Sequence, residues 1–211
     1  MLQSLLPKLL IIPAILIGIS IHEYGHALAA VKLGDDTPLY QGRLTLNPIK
    51  HLDPMGFLFL MIVGFGWAKP VMINPRNFKN PRRDDIIVSL AGVTMNLLTA
   101  IAFTLLIKLV VNNFYSFLIT EVGQYAITML YAVVQINIVL MIFNLMPIPP
   151  LDGHHIAQSV GGWRVANFFR QYEQIIRIGL ILLLVTGYIG RIIGPPVYGI
   201  TNFLFSVFKV F

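Results

Sequence analysis

The chain has no cysteine and little charge. Without cysteine there is no disulfide, no thiolate metal ligand and no thiol nucleophile, so any metal must sit on imidazole and carboxylate. Charged residues fill 11% of the 211 positions, under half the share of about 25% found in soluble domains. Apolar residues reach 56% and the mean hydropathy is +0.77. These figures exclude a cytosolic enzyme, a disordered tail and a multidomain assembly. Acidic residues are scarcest of all: nine against fifteen basic ones, for a net charge of +6. No basic patch is interleaved with aromatics, so nucleic acid is not an expected partner. The positive excess is instead the mark of membrane orientation, because basic residues collect in cytoplasmic loops. There is no internal repeat, interdomain linker or low-complexity tract. The expectation is a single membrane-embedded domain over residues 1–211, with a core at about 5–156 and C-terminal helices at about 170–211.

What the chain does have is long apolar runs. A span needs about 20 apolar residues, and Leu5–Val31, Ile86–Val111, Gly123–Met146 and Ile175–Ile193 qualify. The first is too long for a cleavable signal peptide and encloses His22, Glu23 and His26. Met55–Gly66 is too short to cross, and Val197–Phe211 is marginal. Together they predict an all-α polytopic membrane protein with about five to six transmembrane helices. Lys32 to Asp85 is turn-rich and carries Arg43, Lys50, Lys69, Arg76, Lys79, Arg82 and Arg83. That places it on the cytoplasmic side and the N-terminus outside. Within it, Gly42–Pro48 alternates like a short β-strand, and Met55–Gly66 is expected to dip into the bilayer and return. Strand and re-entrant loop form an insertion after the first helix that could guide an extended substrate by edge pairing. Under this topology His22 and Asp152 both lie near the cytoplasmic face.

His22-Glu23-Tyr24-Gly25-His26 is an HExxH sequence. Residues four apart share a helix face about 6 Å apart, so both imidazoles can grip one zinc ion. Glu23 stands beside them to take a proton from water. Each ionisable group inside an apolar span costs roughly 2.5–3.5 kcal/mol on insertion scales. Three within one turn therefore call for an ion or a partner. Catalytic zinc usually has three protein ligands, so two histidines leave one ligand to be supplied from elsewhere in the chain. Asp35, Asp36, Asp84 and Asp85 lie in the basic loop, where solvated charge explains them. Glu121 falls on the opposite side, and Glu173 has Arg170 and Arg177 to pair with. His51 and Asp53 are better placed to fix a turn, and His154 and His155 to lie solvated at an interface. Asp152 differs because it follows Pro147, Pro149 and Pro150, which break a membrane helix. Irregular backbone at that depth survives when it is buried or lines a cavity. A carboxylate there fits a binding site, with a simple helix-end aspartate as the alternative.

HExxH in one span, with Asn144-x-x-Pro147-x-x-x-Leu151-Asp152-Gly153 after a later one, resembles the site-2 protease family of intramembrane zinc metalloproteases. Arg43-Leu44-Thr45-Leu46-Asn47-Pro48, His51-x-Asp53-Pro54-x-Gly56 and Gly66-Trp67-Ala68-Lys69-Pro70-Val71 resemble its compact prokaryotic branch, which lacks PDZ and CBS domains. Ala91-Gly92-x-x-x-Asn96 matches a further family motif. The resemblance runs from about Ile12 to Ile156. It departs at Val93, where proline is common, and at His154-His155, where a glycine and a basic residue are common. It implies that His22, His26 and Asp152 bind one zinc ion and that Glu23 activates water. It also implies that Asn144 and Asn96 support the substrate carbonyl or the transition state. Ser89, Gly92, Asn96 and Thr99 recur every three or four positions, giving one small polar helix face. The implied function is a zinc-dependent endopeptidase of the cell membrane acting on a transmembrane helix of a membrane-protein substrate. The alternative is a non-proteolytic zinc-binding membrane protein, such as a transporter or an inactive regulatory homologue. A transporter would favour repeated His/Asp sites along a path, and the runs hold one cluster. Glu23 also favours chemistry, since a structural site gains little from an unligated carboxylate.

Overall fold

A computed structural model describes residues 2–63 and 66–210. Among them the regular structure is helical: α1 (Leu2–Lys32), α2 (Thr37–Tyr40), α3 (Pro48–His51), α4 (Pro54–Val63), a 3-10 turn at Pro75–Asn77, α5 (Pro81–Asn113), α6 (Tyr115–Leu118), α7 (Glu121–Leu145), α8 (Asp152–Val185) and α9 (Tyr188–Val207). The boundaries follow local chemistry. Pro81 opens α5 at the one place where its missing N–H is harmless, and Asp84 in the first turn accepts from the Asn80 amide at 3.0 Å. Thr120 caps α7, its hydroxyl accepting from the Gly123 amide at 3.1 Å. The prolines after Met146 stop α7. Gly162, at φ +66°, breaks α8 internally in a conformation that glycine adopts without steric cost.

Among the described residues, three helices are long and apolar enough to cross a membrane: Leu10–Lys32, Pro81–Asn113 and Glu121–Leu145. A fourth span results if α8 and α9, bent by 77° across a short break, count together. This corrects the expected five to six. The apolar run Ile175–Ile193 straddles the turn at Thr186-Gly187, so it is shared between α8 and α9. The marginal run Val197–Phe211 begins within α9 and adds no separate span.

The expected strand at Gly42–Pro48 is also corrected, because the segment turns. Arg43 is buried, and its guanidinium donates to the carbonyls of Lys50 and Lys69. His51, fully buried, bonds the Thr45 carbonyl at 2.8 Å. Asp53 accepts from the Gly56 amide at 2.8 Å, so this pair fixes the entry to α4. Among the described residues, the β pairing is a single antiparallel bridge between Leu52 and Ala68, with Lys69 N donating to His51 O at 2.9 Å. The two ends of the short apolar segment therefore meet, whereas one crossing would part them by about 30 Å. Gly64 and Phe65 of that segment lie outside the described residues.

α1, α5 and α7 pack on one another and form the centre, with α9 against α7. Val93, Ala100 and Ile107 of α5 meet Val134, Ile138 and Met141 of α7. Lipid is as apolar as leucine, so small residues that permit close contact matter more than hydrophobicity. Ala14, Ala27 and Ala30 on α1 are fully buried. Leu98, Leu105 and Leu109 of α5 face outward.

Candidate metal centre

His22 and His26 stand one turn apart on α1 with their rings edge to face, 4.5 Å between centroids. Asp152, first residue of α8, reaches across to them. The three facing atoms form a nearly equilateral triangle. His22 Nε2 lies 3.0 Å from His26 Nε2, and Asp152 Oδ2 lies 3.2 and 3.3 Å from the two nitrogens. Metal–ligand bonds of about 2.0–2.1 Å in a tetrahedron require ligand–ligand edges of about 3.3–3.4 Å. The triangle fits a zinc ion that keeps its fourth corner open. Among the described residues, this is the one group of three or more His and carboxylate side chains that could hold a metal.

The hydrogen bonds behind the triangle agree. His22 Nδ1 lies 2.7 Å from Asn96 Oδ1, and His26 Nδ1 lies 2.8 Å from the Val88 carbonyl. Both partners accept, so each Nδ1 carries its proton and each Nε2 turns a lone pair inward. Asp152 Oδ2 is buried and has no partner in hydrogen-bond geometry. Two lone pairs and an orphaned carboxylate oxygen converging on one point are repulsive without a cation between them. The residues fit the group.

Glu23 lies beside the triangle, its Oε2 accepting from the backbone amide of Val71 at 2.9 Å. The segment 66–74 thus runs over the His22–His26 turn of α1. Below it α5 comes close: a Cβ at Gly92 would stand 2.5 Å from His26 Nε2 and 2.8 Å from His22 Cε1. Asn144 donates to Leu140 O at 3.0 Å and lines a cavity of about 330 Å³ shared with His22, Glu23, His26, Val71 and Asp152. A second cavity, about 350 Å³, adjoins it and also touches His22 and Glu23. Its walls are largely apolar, with Ile19, Leu140, Phe143 and Leu184.

Asn96 was expected to steady a carbonyl oxygen, but its side chain is fully buried and turned to His22, with its amide bound to Gly18 O at 3.1 Å and to Asn137 Oδ1 at 2.9 Å. On the expected polar face, Ser89 is buried and lines the cavity, while Thr99 bonds back to Met95 O. Two loop aspartates depart from the solvated reading. Asp35 and Asp84 are buried, and Asp35 accepts from Thr37, from the Asn74 amide at 2.7 Å and from the Asn77 side chain at 2.7 Å. Asp85 takes the Ser159 hydroxyl at 2.9 Å, linking α5 to α8. Glu173 pairs with Arg177 as expected. Sequence reading missed Val88 O and Val71 N–H, which as backbone groups carry no residue signature, and Asn137, which lies in an ordinary apolar run.

The chain is similar over 184 residues to the protein named "Putative zinc metalloprotease YwhC" of Bacillus subtilis (strain 168), at 40% identity, covering 87% of this chain and 82% of the relative. It is also similar to the proteins named "Putative zinc metalloprotease Rip2". Identity is 32% over 151 residues in Mycobacterium tuberculosis (strain ATCC 25618 / H37Rv), and 28% over 151 in Mycolicibacterium smegmatis (strain ATCC 700084 / mc(2)155). These matches cover 69% of this chain and only 54% and 55% of the Rip2 proteins. No solved structure matches it. The model of peptidase family M50 matches residues 119–186, the stretch that holds Asn144 and Asp152. With the YwhC relative 40% identical and matched over 82% of its own length, the chain belongs to peptidase family M50, the site-2 proteases, and is a zinc metalloprotease with several helices long and apolar enough to cross a membrane.

Proposed function

We propose that the protein is an intramembrane endopeptidase in which His22, His26 and Asp152 hold one zinc ion and Glu23 is the general base. The donor triangle, with Glu23 next to it inside a span, carries this reading. A zinc ion held there would supply Lewis acidity, bringing the pKa of water toward about 7 and polarising the scissile carbonyl. Glu23 takes one proton from the attacking water as the C–O bond forms. It then gives that proton to the amide nitrogen as the C–N bond breaks. Asn144, in the cavity wall, donates its remaining N–H to the carbonyl oxygen as charge develops. Val71 N–H, bonded to Glu23 Oε2, fixes the orientation of the carboxylate beside the donor triangle.

The substrate is a transmembrane segment of another membrane protein, unwound at the cleavage point because a helix hides its carbonyls. The apolar walls of the second cavity suit such a segment. The site faces the cytoplasmic side. Arg76, Lys79, Arg82 and Arg83 are exposed around the start of α5, and Val88, which touches His26, lies about 10 Å along that helix at 1.5 Å per residue. The test is cleavage of a single-span membrane protein co-reconstituted with wild type or Glu23→Gln. The variant should bind zinc fully and cleave about 10²–10⁴-fold more slowly. Undiminished proteolysis would refute the assignment.

A further inference from the structure

Asn96 on α5 and Asn137 on α7 are fully buried amides. Their hydrogen bonds form a directed chain. Asn137 Nδ2 lies 2.8 Å from Val133 O, a backbone carbonyl that only accepts, and this fixes which end of the Asn137 amide is oxygen. Asn137 Oδ1 therefore faces Asn96 Nδ2 at 2.9 Å as an acceptor. The second hydrogen of Asn96 Nδ2 goes to Gly18 O at 3.1 Å. Both donors are then used, and Asn96 is left to present its oxygen to His22 Nδ1 at 2.7 Å. An amide oxygen cannot donate, so His22 must keep its proton on Nδ1 and its lone pair on Nε2. The histidine tautomer is thus set from a carbonyl on α7, through one side chain on α7 and one on α5.

We propose that Asn137 is a positioning residue for the metal, its oxygen locking the Asn96 amide and through it the His22 tautomer. This rests on the reading in which His22 is a zinc ligand. Without Asn137 Oδ1 one Asn96 N–H loses its acceptor, and only the bond to Gly18 O is left to keep the amide from turning its nitrogen toward His22. That flip would place the His22 proton on Nε2, where it competes with the metal.

The test measures zinc affinity of the whole purified protein by chelator competition, and the visible absorption of the Co²⁺-loaded form. Asn137→Leu keeps volume and removes the acceptor, and should bind zinc about tenfold more weakly with an altered Co²⁺ spectrum, at the lower end of the 10–100-fold known for residues behind a metal ligand. Asn137→Asp, as the neutral acid, keeps an oxygen for Asn96 and a donor for Val133 O, and should restore both readouts. If Asn137→Leu does not fold, Asn137→Ser takes its place. Its hydroxyl bonds back to Val133 O and falls short of Asn96, so the same tenfold loss is required. Wild-type affinity in the folded Leu or Ser protein overturns the proposal, as does equal loss in Asn137→Asp. His22→Ala separates the two readings. If it retains zinc, the ligand assignment fails; if it loses zinc while Asn137→Leu retains it, only the inference about Asn137 fails.

Discussion

At the scale of single residues, the site depends on what α5 leaves out. Gly92 faces both imidazoles, and a methyl group there would lie 2.5–2.8 Å from His26 Nε2, His26 Cε1 and His22 Cε1. Real Cβ atoms do not sit that close, so either α5 retreats or the rings turn away from their Nδ1 partners. Overpacking of this kind costs about 1–3 kcal/mol, and here the rings are the softer side because Val88 and Asn96 hold them by one bond each. Gly92→Ala should therefore emerge folded but with well under one equivalent of zinc by elemental analysis. Gly179→Ala, in open space on α8, is the control and should match wild type. Equal zinc in the two variants would show that the rings do not need this clearance.

At the scale of elements, the segment over Glu23 is held by the loop that follows α1. Burial alone would raise the pKa of Asp35. The Thr37 hydroxyl and amide, the Asn74 amide and the Asn77 side chain outweigh this and hold the carboxyl below its usual range. A carboxyl depressed in the folded state stabilises it above the unfolded value of about 3.9, and that stabilisation is lost as pH falls through the folded value. Asp35→Asn should loosen residues 66–77 by about 1.5–3 kcal/mol at neutral pH, the usual worth of bonds to a charged group. Hydrogen exchange at Val71 and Asn74 would read this as faster opening in the variant above about pH 4. The difference should shrink at lower pH, as wild type loses the same charge. A gap that stays constant down to pH 2 would mean that the Asp35 charge is not what ties the segment down. The sequence is silent on this because four acidic residues in a basic loop look alike until the fold brings Asn74 and Asn77 to one of them.

At the scale of the whole molecule, legibility tracks how local the cause is. His22 and His26 could be read from their spacing because a helix alone places them, and Asp152 stood out because three prolines interrupt its neighbourhood. The strand at Gly42–Pro48 was misread because alternation does not reveal that Arg43 will be drawn inward by the carbonyls of Lys50 and Lys69. The span count was too high because a hydropathy run does not show the turn at Gly187, φ +73°, that divides it. The same distinction separates two parts of the molecule. α1, α5 and α7 are joined by extensive packing, whereas α8 lies mainly against α5, α9 and α7, and it meets α1 at the donor triangle. Zinc would thus close a contact that packing leaves thin. A ligand that binds only the folded state stabilises it by RT ln(1 + [L]/Kd), about 4 kcal/mol at a thousandfold excess over Kd. Chelation should therefore leave exchange in the middle of α5 and α7 nearly unchanged while accelerating it at 146–156, where the proline loop enters α8. Asp152→Ala, with or without zinc, should match the chelated wild type at those amides, because it removes the ligand that α8 contributes. If zinc removal instead slackened α5 and α7 as much as 146–156, the metal would be organising the whole bundle, and the packed three-helix centre could not be treated as a preformed platform for the site.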